Sequence, residues 1–505
     1  MSQYIPFQPE FRQALPEVIG NHDYIVFRKQ LDRIDEILIQ SKIEQRIVHH
    51  DVVRIIEARR RSAKLRGKTY KGLSRKSLIL IQRKARVALR CAIARCLTGE
   101  SFRDFSCRLA DSPILHKFCL IDRIDIVKVP SKSQLQRNEM KYPEALIRDV
   151  VLQLNQAASQ EIAGANPLKL KEAISLSDYY VDATCVEADI HFPIDWLLLR
   201  DATRTLMQAV ILIRRAGLKN RMISPRSFIK QMNHLCMMMT HTRRKKDSKR
   251  NRKKIFRLMK KIIKKIILHA ERHLDLLVNH WCETALTKGQ ANQIIQRIRN
   301  VLDQLPDAIH QAHERIIGGR RVSNRDKILS LYDPDIHVIV RGKASGETEF
   351  GNTLLLAEQS QGVIVDWKLY REQAPQDSKC LIDRLEEFKD RYGFHPDQVT
   401  ADRGFSSPKN EKYFAAHNIL NHVCPRAVKA LQMKLQDEIF RHHQTRRAQT
   451  EGRIGIIQNK FLGNPLKSHR FLSREMHISW AVLAHNLWVL ARLPKEVILK
   501  LPIAA

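Results

Sequence analysis

Apolar positions three and four residues apart dominate the first third of the chain. Leu31, Ile34, Ile37 and Leu38 fall on one helical stripe. A second apolar-periodic run, Leu78 to Cys96, also carries Arg83, Lys84, Arg86 and Arg90. Between the two runs, Arg59, Arg60, Arg61, Lys64 and Arg66 precede the turn signal Gly67. After Pro130, Ser131 or Ser133 is placed to cap a short helix. Residues from about 23 to 176 therefore read mostly as helices. A helix, a tight turn and a short basic helix are compatible with a helix-turn-helix that contacts DNA, the reading the charge favours, with a structural bundle as the alternative.

The period changes at SDYYVDATCVEADI, where Tyr179 to Val186 is β-branched and aromatic and reads as a short buried strand. Asp195 follows as an expected N-cap, and a long helical region runs from there to about 318. DIHVIVRGK, EFGNTLLLAE and GVIVDWKLY are short β-rich runs separated by glycine-containing turns, which predicts an antiparallel meander. KCLIDRLEEFKDRYG puts Leu381, Ile382, Leu385 and Phe388 on one helical face and stops at Gly393. HPDQVTADRGF predicts a strand ending in a turn. Another helix, a strand at NHVCPR, a helical region from about Leu431 and a last apolar helix, HISWAVLAHNLWVLAR, close the chain.

Charge narrows the partners. In 505 residues, 88 Lys+Arg against 53 Asp+Glu leave a net +35, an excess that favours a polyanion. The densest run, Arg243 to Lys265, holds 14 Lys+Arg and one Asp. Within it Ile255, Met259, Ile262 and Ile266 share a helical face, while Arg257, Lys260, Lys261, Lys264 and Lys265 fall largely on the other. With Lys253 and Lys254, these basic residues are candidates for phosphate contact. The ordinary alternative is a solvated face over an apolar seam. A helix of this kind can also lie on a membrane surface, but nothing else in the chain supports that. No run of about 18 uncharged apolar residues predicts a membrane span, and the first residues do not read as a secretory signal. The nine cysteines are scattered and form no CxxC, which fits neither a disulfide framework nor a zinc ribbon and points to a reducing cytoplasm.

Three acids stand at informative places. Asp182 interrupts an apolar strand, Asp402 ends another strand before Arg403-Gly404-Phe405, and Glu451 lies on a helix rich in basic residues. A carboxylate in an apolar strand is costly unless it is paired or binds a metal. Two Asp and one Glu brought together supply the hard oxygen donors that magnesium requires. Two such ions about 4 Å apart can activate the attacking oxygen and stabilise the leaving oxygen of a phosphodiester. Taken singly, each acid has an ordinary reading: Asp182 caps a turn, Asp402 is a turn residue before Gly404, and Glu451 pairs with Arg447 four residues earlier. Asp189, Asp195 and Asp366 compete as ligands, and His191 reads as a turn residue or a group supporting the ligands from behind.

Four ordered blocks, VDATCVEADIHFP, SLYDPDIHVIVRGKASGETEFGN, TADRGFSSPKNEKYF and RRAQTEGRIGIIQNKF, resemble the catalytic blocks of bacterial insertion-sequence transposases of the DDE class. The resemblance covers roughly residues 95 to 492, interrupted by the basic helical segment. RDFSCRLADSPILHKF and SKSQLQ are similar to that family's N-terminal domain. The resemblance implies an α/β, ribonuclease-H-like core: a mixed five-stranded sheet flanked by helices. Asp182 would lie on the first strand, Asp402 after the fourth and Glu451 on the following long helix, forming a metal-binding catalytic triad for magnesium, with manganese as a substitute. Residues 1–175 would be a helical DNA-binding domain, 176–195 and 329–495 the catalytic domain, and 196–328 a basic helical insertion. Related transposases often carry Tyr-x2-Arg-x3-Glu-x6-Lys around the last acid. Here Arg447 and Glu451 fit, but Gln444 and Gln458 stand at the Tyr and Lys positions, and Lys460 comes two residues late on a different helical face.

The expected function is a transposase that cuts and joins phosphodiesters at the ends of its element. Arg447 and Arg403 are expected to hold phosphate, and Lys253, Lys254, Arg257, Lys260 and Lys261 to grip DNA. The expected partners are double-stranded element ends and target DNA, bound as a homodimer in the bacterial cytoplasm at the nucleoid. The alternatives are a catalytically silent DNA-binding derivative of such an enzyme and a nuclease that cuts without joining strands.

Overall fold

The computed structural model describes residue 7 and residues 14–122, 126–162, 164–242, 247–343 and 346–496. Arg243, Arg244, Lys245 and Lys246, the start of the basic run, lie outside them. Among the described residues the chain forms sixteen helices and one mixed six-stranded sheet, an α/β architecture.

Seven helices come first: α1 (His22–Gln40), α2 (Ile43–Leu65), α3 (Arg75–Thr98), α4 (Phe102–Asp111), α5 (Pro113–Cys119), α6 (Lys132–Glu139) and α7 (Glu144–Ser159). Polar caps set several of their starts. Asn21, Ser74, Ser101 and Ser131 each accept a backbone N–H of the first turn, so Ser131, not Ser133, caps α6. Three of the basic residues of α3 point inward, whereas Arg75, Lys76 and Lys84 are exposed. Arg86 and Arg90 are buried against Glu44, Arg90 also reaches Asp35, and Arg95 is buried against Glu139. Arginines turned inward from a helix with apolar periodicity need carboxylates there, because an unpaired buried charge is costly. Arg59, Arg60, Arg61 and Lys64 of α2 are exposed.

Strand β1 (Asp178–Glu187) leads into four helices, α8 (Asp195–Arg215), α9 (Pro225–Thr242), α10 (Ser248–His280) and α11 (Lys288–His313). They pack around their own apolar core, which includes Leu199, Leu206, Met232, Phe256, Ile263 and Ile298. Asp195 is the first residue of α8 and does not cap it; Ile194 holds the cap position. Its carboxylate instead accepts from Gln311 Nε2 at 2.9 Å and Arg315 Nη1 at 2.8 Å, so the start and end of this segment are tied together. The apolar seam of α10 runs through Ile255, Phe256, Met259, Ile263 and Ile266, with Ile263 fully buried where Ile262 was expected. Lys254, Arg257, Lys261, Lys264 and Lys265 are exposed on the opposite face, and Lys253 and Lys260 are half-buried.

The chain then returns as β2 (His337–Lys343), β3 (Gly346–Glu358) and β4 (Ile364–Leu369), the antiparallel meander the alternation predicts. It continues through α12 (Asp377–Tyr392), β5 (Gln398–Thr400), α13 (Pro408–Ala416), β6 (Leu420–Asn421), α14 (Val428–Lys434), α15 (Glu438–Ile456) and α16 (Phe471–Leu490). Only two residues of NHVCPR and its approach pair as a strand. The sheet runs β2–β3–β1–β5–β6, with β4 also on β3. The expected five strands become six because the long β3 pairs with β2 over its first half and with β4 over its second. β1 is antiparallel to β3 and parallel to β5, and β5 is parallel to β6.

Successive residues of β1 face opposite sides of the sheet. Tyr179 meets α12, stacking edge-on against Phe388 and donating to Asp366 at 2.9 Å. Tyr180 meets α15 at His443 and lies under Arg446. The two helices therefore cover opposite faces, and Asp182 and Thr184 lie on the α15 side. The first seven helices and α16 share one continuous core with the sheet. Arg148 and Asn155 of α7 donate to the carbonyls of Trp367 and Ile364, and Asn486 of α16 bonds both the N–H and the carbonyl of Ile364.

All nine cysteines are free thiols, six of them buried. No helix among the described residues is long and apolar enough to cross a membrane.

Candidate active site

The parallel register of β1 and β5 ends at Tyr180 opposite Thr400. Continued by two residues, it sets Asp402 beside Asp182. α15 crosses the same face and contributes Glu451. Asp182, Asp402 and Glu451 line one open cleft of roughly 520 Å³, together with Thr184, Cys185, Glu187, Glu349, Asp377 and Gln458.

Each acid is held locally. Asp182 Oδ1 accepts from the Ala183 N–H at 2.7 Å. Asp402 caps the short 3-10 turn Arg403–Phe405, accepting from the Gly404 N–H at 2.8 Å. The Gly404 position is crowded: a Cβ there would lie 2.9 Å from Asp402 Oδ1 and 3.1 Å from Asp377 Oδ2. The turn thus brings two carboxylates against one backbone atom, which a side chain would push aside. Glu451 accepts from Arg447 Nη1 at 3.1 Å, and its side chain is 61% exposed. The ordinary i,i+4 pair and the cleft position therefore coexist in the same residue.

α15 is anchored from below. Glu358, fully buried at the end of β3, accepts from Arg446 Nη1 at 3.0 Å, Thr450 Oγ1 at 2.9 Å and Arg453 Nε at 3.0 Å. Gly362 faces Arg453 so closely that a Cβ would overlap the guanidinium, and its φ of +86° also favours glycine. The two departures from the family's helix signature have structural work. Gln444 donates to the carbonyls of Ala401 and His422, tying α15 to the strand that precedes Asp402. Gln458 donates to Thr184 Oγ1 at 3.1 Å and the Cys185 carbonyl at 2.7 Å, inside the cleft. Lys460 turns away, with its ammonium 4.5 Å above the Trp488 ring.

The cleft gathers several carboxylates. The Asp182 carboxyl is pushed up to about 6, chiefly by burial. The Ala183 amide and Arg447 oppose the rise, whereas the negative charges of Asp402 and Glu451 add to it. Oxygen donors and mutually repelling carboxylates are the surroundings a hard divalent ion suits. The three acids do not yet close on one point. Among the described residues, the set of His, Cys, Asp and Glu whose ligand atoms all fall within 4.8 Å of one another is Glu386, His395 and His417, outside this cleft.

The other residues expected at the site divide. Arg447 lies on α15 beside the cleft acid Glu451, bonded to it at 3.1 Å and to Gln444 at 3.4 Å. Arg403 is exposed at the turn after Asp402. Lys253, Lys254, Arg257, Lys260 and Lys261 lie on α10 in the inserted bundle, none of them among the residues lining the cleft. Asp366 is excluded as a ligand by its buried ion pair with Arg384, at 2.9 and 3.1 Å. Asp195 is taken up by Gln311 and Arg315, and His191 bonds Asp201 at 2.8 Å. Sequence reasoning missed Asp377, Glu349 and Glu187. Asp377 stands in the first turn of a helix, where an acid is ordinary. Glu187 and Glu349 meet at one end of the β1–β3 ladder, where Glu187 pairs with Gly351, two residues from Glu349, and the Gly351 position lies against the Val186 carbonyl.

No family model, curated protein or solved structure was found to match the chain.

Proposed function

We propose that this protein is a metal-dependent DNA transposase with a ribonuclease-H-like catalytic core. The observation that carries the reading is the meeting of Asp182, Asp402 and Glu451 in one cleft, although 220 residues separate the first two and five helices intervene. The sheet supports it. With β2 set aside, five strands remain in mixed order; Asp182 lies on the first, Asp402 follows the fourth, and Glu451 lies on the long helix after the fifth.

Asp182, Asp402 and Glu451 would hold magnesium or manganese, which when bound supplies an activated water and a counter-charge for the leaving oxygen. The chain's own part is positional. The Ala183 and Gly404 amides fix the two aspartates, and the Glu358 anchor fixes the helix that delivers Glu451. Arg447, released when Glu451 turns to the aspartates, becomes available to a DNA phosphate, and exposed Arg403 flanks the same cleft. The exposed face of α10 supplies sequence-independent grip on double-stranded DNA. Bringing two element ends together calls for two copies of the chain, acting on DNA in the bacterial cytoplasm at the nucleoid.

The test is cleavage of labelled DNA carrying the inverted repeats that flank the coding region, with magnesium as the only divalent ion. Wild type should nick at the element end and yield strand-transfer product. Asp182→Asn, Asp402→Asn and Glu451→Gln should each lose nicking by at least 100-fold while still retarding the DNA in gels. Nicking by all three variants at the wild-type rate would refute the reading. Nicking without a joined product would reduce it to a nuclease, and binding without nicking by wild type to a silent DNA-binding derivative.

A further inference from the structure

We propose that Glu386, His395 and His417 form a second cation site, for a zinc-like divalent ion, that fastens the far end of α12 to the entry of β5 and the end of α13. One ligand atom from each residue lies within 4.8 Å of the other two. The three come from separate elements: Glu386 from α12, His395 from the link between α12 and β5, and His417 from the residue that caps α13. Glu386 is nine residues beyond Asp377, about 13 Å along the helix at 1.5 Å per residue, so this site is distinct from the carboxylate cleft.

The unusual member is His395. Both its ring nitrogens are shielded from water, and neither has a hydrogen-bond partner. Leaving two such atoms unsatisfied is costly, and a metal bond to one of them would remove part of that cost. Glu386 is oriented from behind, because the Tyr413 hydroxyl donates to its Oε1 at 2.6 Å. Such an outer partner is a regular feature of carboxylate ligands. The two imidazoles are already gathered: their centroids are 4.5 Å apart, and Tyr413 packs on His417 at 4.4 Å. Two imidazoles and one carboxylate select a borderline ion such as zinc over magnesium, with water completing a tetrahedral set.

The consequence is mechanical. β5 leads directly to Asp402, and α12 begins at Asp377. An ion here would brace, from the opposite end, the elements that carry both acids. The reading does not depend on the transposase proposal.

The test is calorimetric titration of zinc into metal-stripped full-length protein, with excess magnesium present to occupy the carboxylate cleft. Wild type should bind one equivalent and melt at higher temperature when loaded. The double variant H395F/H417F keeps the aromatic packing, and E386Q keeps the Tyr413 contact. Both should weaken that equivalent by at least 100-fold while melting like metal-free wild type, and D182N should retain it fully. Absorption of cobalt-substituted wild type should show tetrahedral d–d bands that H395F/H417F lacks. A wild type without a stoichiometric zinc equivalent, or an H395F/H417F variant that binds zinc as tightly, overturns the proposal.

Discussion

A single missing side chain shapes the candidate active site. Gly404 gives its N–H to Asp402 and leaves no Cβ to meet Asp402 and Asp377. Gly404→Ala is therefore expected to displace the carboxylates by a few tenths of an ångström without unfolding the protein. Misplacing catalytic groups on that scale costs on the order of 10–100-fold in rate. Magnesium-dependent nicking by G404A, compared with wild type at equal melting temperature, checks this. A second residue acts through its neighbours. Glu358→Gln leaves buried Arg446 and half-buried Arg453 without their counter-charge, which costs about 3–5 kcal/mol by analogy with other broken buried pairs. Urea denaturation of E358Q should show that loss, and an unchanged midpoint would mean the anchor contributes nothing net.

At the scale of elements, periodicity was informative wherever one face meets the core. The Val, Ile and Leu runs of the meander, the stripe of α12 and its stop at Gly393 all follow from local pattern. Asp182 was legible because a carboxylate inside VDATCV contradicts its apolar surroundings. Glu451 was legible only beside the other blocks, since its pair with Arg447 is what any surface helix offers. Asp377 and Glu349 were not legible, because convergence across distant elements leaves no trace in local spacing. The inward direction of Arg86, Arg90 and Arg95 was not legible for a related reason: only the fold brings Glu44 and Glu139 opposite them. For α10 the basic face is exposed at Lys254, Arg257, Lys261, Lys264 and Lys265, while the apolar seam runs through Ile263 where Ile262 was expected. Neutralising Lys254, Arg257 and Lys261 to Gln should flatten the dependence of log K on log salt for non-specific DNA by up to about 3 if all three meet phosphate. Fluorescence anisotropy across a salt series measures it, and an unaltered slope would assign those residues to solvent.

Over the whole molecule, the helical N-terminal region and the sheet behave as one packed body, because α3, α7 and α16 interleave in a single core. That core holds neutral histidines. Burial keeps His477 well below the usual imidazole range and lowers His485 to about 3. In the unfolded chain both take up protons near 6.5, so between that pH and the folded value the unfolded state binds more protons. Stability must then fall as pH falls, by up to about 1.4 kcal/mol per pH unit for each group. His485→Gln is expected to be less stable than wild type at pH 8 and to lose stability less steeply between pH 6.5 and 4.5. Thermal melts across that range test both statements.

The clasp of Asp195 with Gln311 and Arg315 closes the four-helix excursion at its base. β1 and β2 therefore meet a loop whose two ends are already neighbours, whatever lies between them. Evolution, or a protein engineer, can exchange the bundle above that junction for another of different reach or charge while the sheet and the carboxylate cleft below keep their shape.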